Sequence, residues 1–140
     1  MNPHESTPIR KLKILLADDD EDDCFLFEEA LVELPLQTAL TSVHDGDQLI
    51  KLLNENTKET YDVLFLDINM PRKNGVECLE EIKRNENLKS TPVIIFSTSY
   101  DQGMADKLYK KGARKFLPKP ADFSVLKKII HEELLLVTEK

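Results

Sequence analysis

Apolar positions along the chain follow two alternating rhythms: short unbroken runs, and longer stretches in which apolar residues return at helical spacing. Leu12–Ala17 (LKILLA) is the first run and predicts a buried strand, bounded on its far side by acids. Glu21 to about Leu34 predicts a helix, with Phe27, Ala30, Leu31 and Leu34 at i, i+3, i+4 and i+7, ended by Pro35. Gln37–Val43 is a weaker strand that stops at His44-Asp45-Gly46, and a helix from Asp47 to about Asn56 buries Leu49, Leu52 and Leu53. Asp62–Leu66 (DVLFL) is apolar without a break after its first residue, as suits a strand covered on both faces. Met70 to Gly75 reads as loop, and the helix after it carries Cys78, Leu79 and Ile82 on one face. Pro92–Phe96 (PVIIF) is the fourth strand and runs into Ser97-Thr98-Ser99. A helix over about Gln102–Lys111 ends at Gly112, a natural residue for the position just past a helix. Ala113–Leu117 is the fifth strand, and Phe123–Val137 a last helix bearing Leu126, Ile129, Ile130 and Leu134.

Five such βα units predict an α/β fold, a doubly wound parallel sheet with helices on both faces. The 140 residues suit a single domain, and a hydrophobic fraction of 41% is enough for one core. Met1 to about Arg10, polar with two prolines, reads as a flexible arm, which leaves 11–140 as the domain. The longest apolar runs are four residues, such as Leu134–Val137, far short of a membrane span, and the first residues hold no apolar signal segment. A cytoplasmic protein is therefore expected, one that touches no membrane. A net charge of −7 argues against direct nucleic-acid binding, which requires a basic face. Cys24 and Cys78 have no partners at metal-ligand spacing and read as buried reduced thiols. His4, His44 and His131 lack partners too and read as surface residues.

In open parallel sheets the ligand site lies at the carboxyl ends of the strands. Strand one ends in Asp18, Asp19 and Asp20, strand three in Asp67, strand four in Ser97 and Thr98, and strand five is followed by Lys119-Pro120. Clustered carboxylates repel one another, so they stay partly protonated or hold a cation. With only oxygen donors at hand that cation is Mg²⁺, with Mn²⁺ as a substitute. A carboxylate can also attack a phosphoryl group to form an acyl phosphate, while metal, lysine and hydroxyl neutralise the phosphoryl oxygens. Against this stands a plain reading of six consecutive acids, Asp18–Asp23, as a solvated turn and helix start. That plain reading holds for Asp20, Glu21, Asp22 and Asp23, with Asp20 as N-cap.

The segments ILLADDDEDD, DVLFLDINMPRKNGVECL, PVIIFST and FLPKP resemble the receiver domains of bacterial two-component signalling, from about Lys11 to Val137. The spacing agrees as well: Ser97 follows Asp67 by 30 positions and Lys119 follows Ser97 by 22. The resemblance implies a flavodoxin-like strand order 2-1-3-4-5 and a single-domain response regulator, of the chemotaxis type or of the small group paired with bacterial phytochromes. It implies Asp67 as phospho-acceptor, Asp19 as direct metal ligand, Asp18 acting partly through water, and the Asn69 backbone carbonyl as a further ligand. Ser97 and Lys119 would contact the phosphoryl group, and a cis peptide would join Lys119 to Pro120. Phe116 holds the place of a switch aromatic, where tyrosine is also common, and is weighed equally as a core phenylalanine. The side chains at Asn69 and Ser99 would set the lifetime of the acyl phosphate.

The partners so implied are a histidine kinase or phosphotransfer protein and an unidentified downstream protein. A homodimer through the face of the fourth and fifth βα units is compatible with the Leu134–Val137 run. Such a protein is a switch rather than an enzyme, with weak self-catalysed phosphoryl transfer and dephosphorylation. The competing reading is a pseudo-receiver, a docking module that is never phosphorylated; an intact set of site residues argues against it. A flavodoxin would need a hydroxyl- and glycine-rich loop where this chain has acids, and a haloacid-dehalogenase phosphatase would need a hydroxyl that Asp18–Asp22 lacks.

Overall fold

The computed structural model describes residues 11–55, 60–98 and 101–138. The arm expected over 1–10, with His4, and the positions Asn56 and Ser99 lie outside the described residues. In chain order the elements are β1 (Leu12–Ala17), α1 (Glu21–Val32), β2 (Thr38–Val43), α2 (Gly46–Glu55), β3 (Val63–Leu66), α3 (Gly75–Arg84), β4 (Val93–Ser97), α4 (Gln102–Lys110), β5 (Lys115–Pro118) and α5 (Phe123–Thr138). The strands pair in parallel in the order β2-β1-β3-β4-β5, the flavodoxin-like order.

Alternation along the strands divides the core in two. Leu12, Ile14, Leu16, Val63, Phe65, Ile94 and Phe96 point to the face covered by α1 and α5, where Phe27, Leu31, Ile130 and Leu134 meet them. Leu15, Ala17, Leu64, Leu66, Val93, Ile95 and Phe116 point the other way, onto Leu49 of α2, Cys78, Leu79 and Ile82 of α3, and Leu108 of α4. The rings of Phe27, Phe65 and Phe96 pack edge-to-face, with the Phe27 and Phe65 centroids 4.9 Å apart. Each large side chain so buried stabilises the fold by about 1.5–3 kcal/mol. The Leu134–Val137 run is split: Leu134 and Val137 are core, whereas Leu135 and Leu136 are exposed.

Boundaries moved by a residue or two for identifiable reasons. Helix α1 ends at Val32, short of Leu34, because Pro35 disfavours helical backbone in the residue before it. Strand β5 starts at Lys115, since the Ala113 N–H is taken by the Leu108 carbonyl and the Gly112 N–H by Tyr109, closing α4 with Gly112 at φ 107°. The Lys119–Pro120 bond is trans, correcting the cis expectation: the described residues hold no cis peptide, and trans is the lower-energy isomer before proline. Helix α5 also buries Glu133, whose carboxylate accepts from Lys115 Nζ at 2.8 Å, tying the helix to β5.

Helix α3 is seated by two features. Asn74 accepts from the Glu77 N–H while Glu77 reaches back to the Asn74 N–H, a reciprocal capping box. Gly75 then passes so close beneath β3 that an added Cβ would collide with the Asp67 carbonyl oxygen and lie 2.7 Å from Ile68 Cα. Gly75→Ala is therefore expected to destabilise the protein by about 2–3 kcal/mol, read as a lowered urea midpoint. An unchanged midpoint would mean that α3 can shift without cost. No helix among the described residues is long and apolar enough to cross a membrane.

Candidate functional site

The parallel ladder continues one step past β1, β3 and β5 and pins the residues that follow. The Asp18 N–H donates to the Val43 carbonyl at 3.1 Å, the Asp67 N–H to Ala17 at 2.9 Å, and the Lys119 N–H to Ser97 at 2.9 Å. Asp18, Asp67 and Lys119 are thus fixed on one rim, Asp18 and Asp67 at the β1/β3 boundary where the strand order reverses and Lys119 at the end of β5.

Their side chains converge. Lys119 Nζ donates to Asp18 Oδ2 at 2.5 Å, to Asp23 Oδ2 at 2.9 Å and to Asp67 Oδ2 at 3.3 Å. The other Asp18 oxygen accepts from the Asp20 N–H at 3.0 Å, and the other Asp67 oxygen from the Asn69 N–H at 3.3 Å. Asp18 and Asp67 are buried, while Asp19 is exposed at the mouth. One oxygen from each of Asp18, Asp19 and Asp67 can be chosen so that all lie within 4.8 Å of one another. Three hard oxygen donors at that separation fit a small divalent cation such as Mg²⁺ or Mn²⁺.

Burial pushes the Asp18 carboxyl up to about 6, against the lowering pull of Lys119 and the Asp20 N–H. Burial alone would lower Lys119, but its hydrogen bonds to Asp18 and Asp23 and the charges of Asp18 and Asp67 hold it above the usual lysine range. The site therefore carries an ammonium that stays charged and an excess of carboxylate. Ser97, the last residue of β4, is fully buried beside this rim. Phe116 is 3% exposed, with its N–H donating to the Tyr109 hydroxyl at 3.1 Å, a buried position that suits a core phenylalanine and an inward switch aromatic alike.

Sequence reasoning placed Asp18, Asp19, Asp67 and Lys119 together and the structure does the same. It missed Asp23, assigned there to a solvated helix start but paired here with Lys119. Asp20 is the N-cap of α1, accepting from the Asp23 N–H. His44 is exposed, yet its Nδ1 lies 3.2 Å from the Asp18 carbonyl, which also accepts from Cys24 Sγ at 3.4 Å. Cys24 is only half-buried, Cys78 fully buried, and burial raises both thiols, to about 11 and about 12, which leaves them unreactive at neutral pH. His131 is half-buried on α5.

A model of the response regulator receiver domain matches residues 14–131. The chain belongs to that family. It is 29% identical over 120 residues to a probable chemotaxis protein CheY of Rhizobium etli, covering 86% of this chain and 90% of that protein. To the response regulator Rcp1 of Synechocystis sp. it is 30% identical over 122 residues, covering 84% and 82%. Among solved structures, a phosphorylated cyanobacterial phytochrome response regulator, RcpA, matches with a TM-score of 0.83 at 31% identity, covering 94% of this chain and 98% of that one. The Mn²⁺-bound form of Rcp1 matches with a TM-score of 0.80 at 28% identity, covering 92% and 96%. This chain is thus the receiver domain of a response regulator in two-component signalling.

Proposed function

We propose that this receiver accepts a phosphoryl group on Asp67 from a histidine kinase or phosphotransfer protein, in a Mg²⁺-dependent reaction, and signals through contacts with a downstream protein. The observation that carries this reading is the convergence of Lys119 on Asp18 and Asp67 beside a three-carboxylate oxygen cluster. Asp67 would be the nucleophile, its carboxylate oriented by the Asn69 N–H on one oxygen and by Lys119 on the other. Asp18, Asp19, Asp67 and the Asn69 backbone carbonyl would hold the cation. Its chemistry there is to neutralise charge between the carboxylates and an incoming phosphoryl group. Lys119 would then trade a carboxylate contact for a phosphoryl oxygen, and Ser97 would donate its hydroxyl to another.

The switch would run through Ser97 and Phe116. Phe116 is buried, so the inward position that such a switch requires is one this side chain can adopt, and the phosphoryl group would stabilise it. A homodimer through the α4, β5 and α5 face would be one route of output; Tyr109, Val125, Leu135 and Leu136 are exposed there.

Intact mass after incubation with acetyl phosphate tests the reading. One added phosphoryl group that needs Mg²⁺ and fails with chelator is expected. No adduct, together with no Mg²⁺-dependent response to beryllofluoride, would leave a docking module that is never phosphorylated.

Metal affinity should depend on acid in a defined window. The Asp18 carboxyl, raised to about 6, must lose its proton before it can serve a cation. Mg²⁺ affinity is therefore expected to fall about tenfold between pH 7.5 and pH 5. The metal-free protein should move oppositely. Because the folded state binds this proton more tightly than the unfolded chain, stability rises as pH falls from about 6 towards the ordinary carboxylate range. Calorimetric Mg²⁺ titrations at both pH values check the first statement, and flat affinity would contradict it.

A further inference from the structure

Lys119 is shared among three carboxylates, but only two of them belong to the group that can surround a cation. Asp18 and Asp67 each have an oxygen in the metal-sized cluster with Asp19, and each also accepts from Lys119 Nζ, at 2.5 and 3.3 Å. Asp23 is the third partner, at 2.9 Å, and lies outside that cluster. It stands in the first turn of α1, its N–H bonded to the Asp20 cap, so its backbone is fixed on a different element from Asp67 and Lys119. Its side chain is 34% exposed, against 3% for Asp18 and 8% for Asp67. The ammonium has three protons and three acceptors, so its hydrogen-bonding capacity is filled.

A cation entering this cluster competes with Lys119 for the same two carboxylates. Like charges at short range repel strongly in a partly buried site. Lys119 must give ground on Asp18 and Asp67, and it needs a carboxylate to move towards. From this geometry we propose that Asp23 is the positioning residue for Lys119. It draws the ammonium off Asp18 and Asp67 when the cation binds, and keeps it at the rim, within reach of Asp67, instead of releasing it to solvent. Asp23 does not ligate the metal; it acts through Lys119. The inference rests on the metal-assisted reading of the site, and concerns which residue lets metal and lysine coexist there.

The test is a double-mutant cycle on Mg²⁺ affinity, read by calorimetry without any phosphodonor. Asp23→Asn keeps shape and hydrogen-bonding size while removing the charge. With Lys119 present it is expected to weaken Mg²⁺ binding about tenfold, and with Lys119→Ala about twofold, the residue of its direct field at a screened distance. Asp23→Glu should restore affinity to within about threefold of wild type, since the charge is what Lys119 needs. Lys119→Met, nearer in length, serves as the second background if Lys119→Ala does not fold. Equal losses from Asp23→Asn in both backgrounds would overturn the proposal, because Asp23 would then act on the cation by its own field alone. No loss in either background would overturn it as well. Failure of the wild type to bind Mg²⁺ would overturn the metal site itself, an outcome separate from equal losses in a protein that binds.

Discussion

Asp67→Asn will leave the chain folded and lower its uptake of a phosphoryl group from acetyl phosphate by at least about a thousandfold, below detection by intact mass. The amide has no charged oxygen to attack phosphorus, and no neighbouring carboxylate has the same placement. Asp18 is held more closely than Asp67, by Lys119 at 2.5 Å against 3.3 Å and by a backbone N–H at 3.0 Å against 3.3 Å, and Asp19 is at the exposed mouth. The substitution also removes one charge from a cluster with more carboxylates than cations. The urea midpoint of the metal-free variant should therefore stay level or rise, because mutual repulsion falls. A variant still phosphorylated at the wild-type rate would move the acceptor elsewhere.

Lys119→Ala has the opposite character, a large effect on stability and output with a smaller one on chemistry. Removing the ammonium leaves Asp18, with a side chain 3% exposed, beside Asp67 with no cation between them. Breaking a buried pair by deleting one member costs on the order of 3 kcal/mol. The metal-free variant is thus expected to unfold at markedly lower urea at pH 7.5. Mg²⁺ should recover much of that loss by replacing the missing positive charge. Phosphorylation should persist within about tenfold of wild type at saturating Mg²⁺, since the metal supplies most of the neutralisation. Output should be lost, measured as phosphorylation-dependent binding of a downstream protein or as phosphorylation-dependent self-association. Normal output from this variant would remove Lys119 from the switch.

Much of this was legible in sequence because unbroken apolar runs each end in a chemically distinctive residue. ILLA leads into Asp18, VLFL into Asp67, VIIF into Ser97, and the segment after Gly112 into Lys119. A parallel sheet buried on both faces forces such runs, and the doubly wound topology brings their carboxyl ends to one rim. Asp23 was not legible. An acid in the first turn of a helix is favoured by the helix dipole, so nothing local marks it as different from Glu21 or Asp22. Its role arises only from Lys119, 96 positions away, whose reach across the rim depends on the packing of β5 against β4. Glu133 was hidden for a similar reason: it sits in an apolar stripe of α5 and is tolerated there by Lys115, a pairing set by tertiary packing. Phe116 is ambiguous in sequence, since an inward switch residue and a core residue occupy the same position on β5.

The most direct test of the account locates the phosphoryl group by chemistry. The protein is incubated with acetyl phosphate and Mg²⁺, reduced with borohydride, digested and sequenced by mass. An acyl phosphate is reduced to the alcohol while a free carboxylate is not, so the modified aspartate is read as homoserine. The account predicts homoserine at position 67 alone, and none when Mg²⁺ is chelated. Homoserine at position 18 or 19, or none at 67 in a protein carrying the phosphoryl mass, would contradict it.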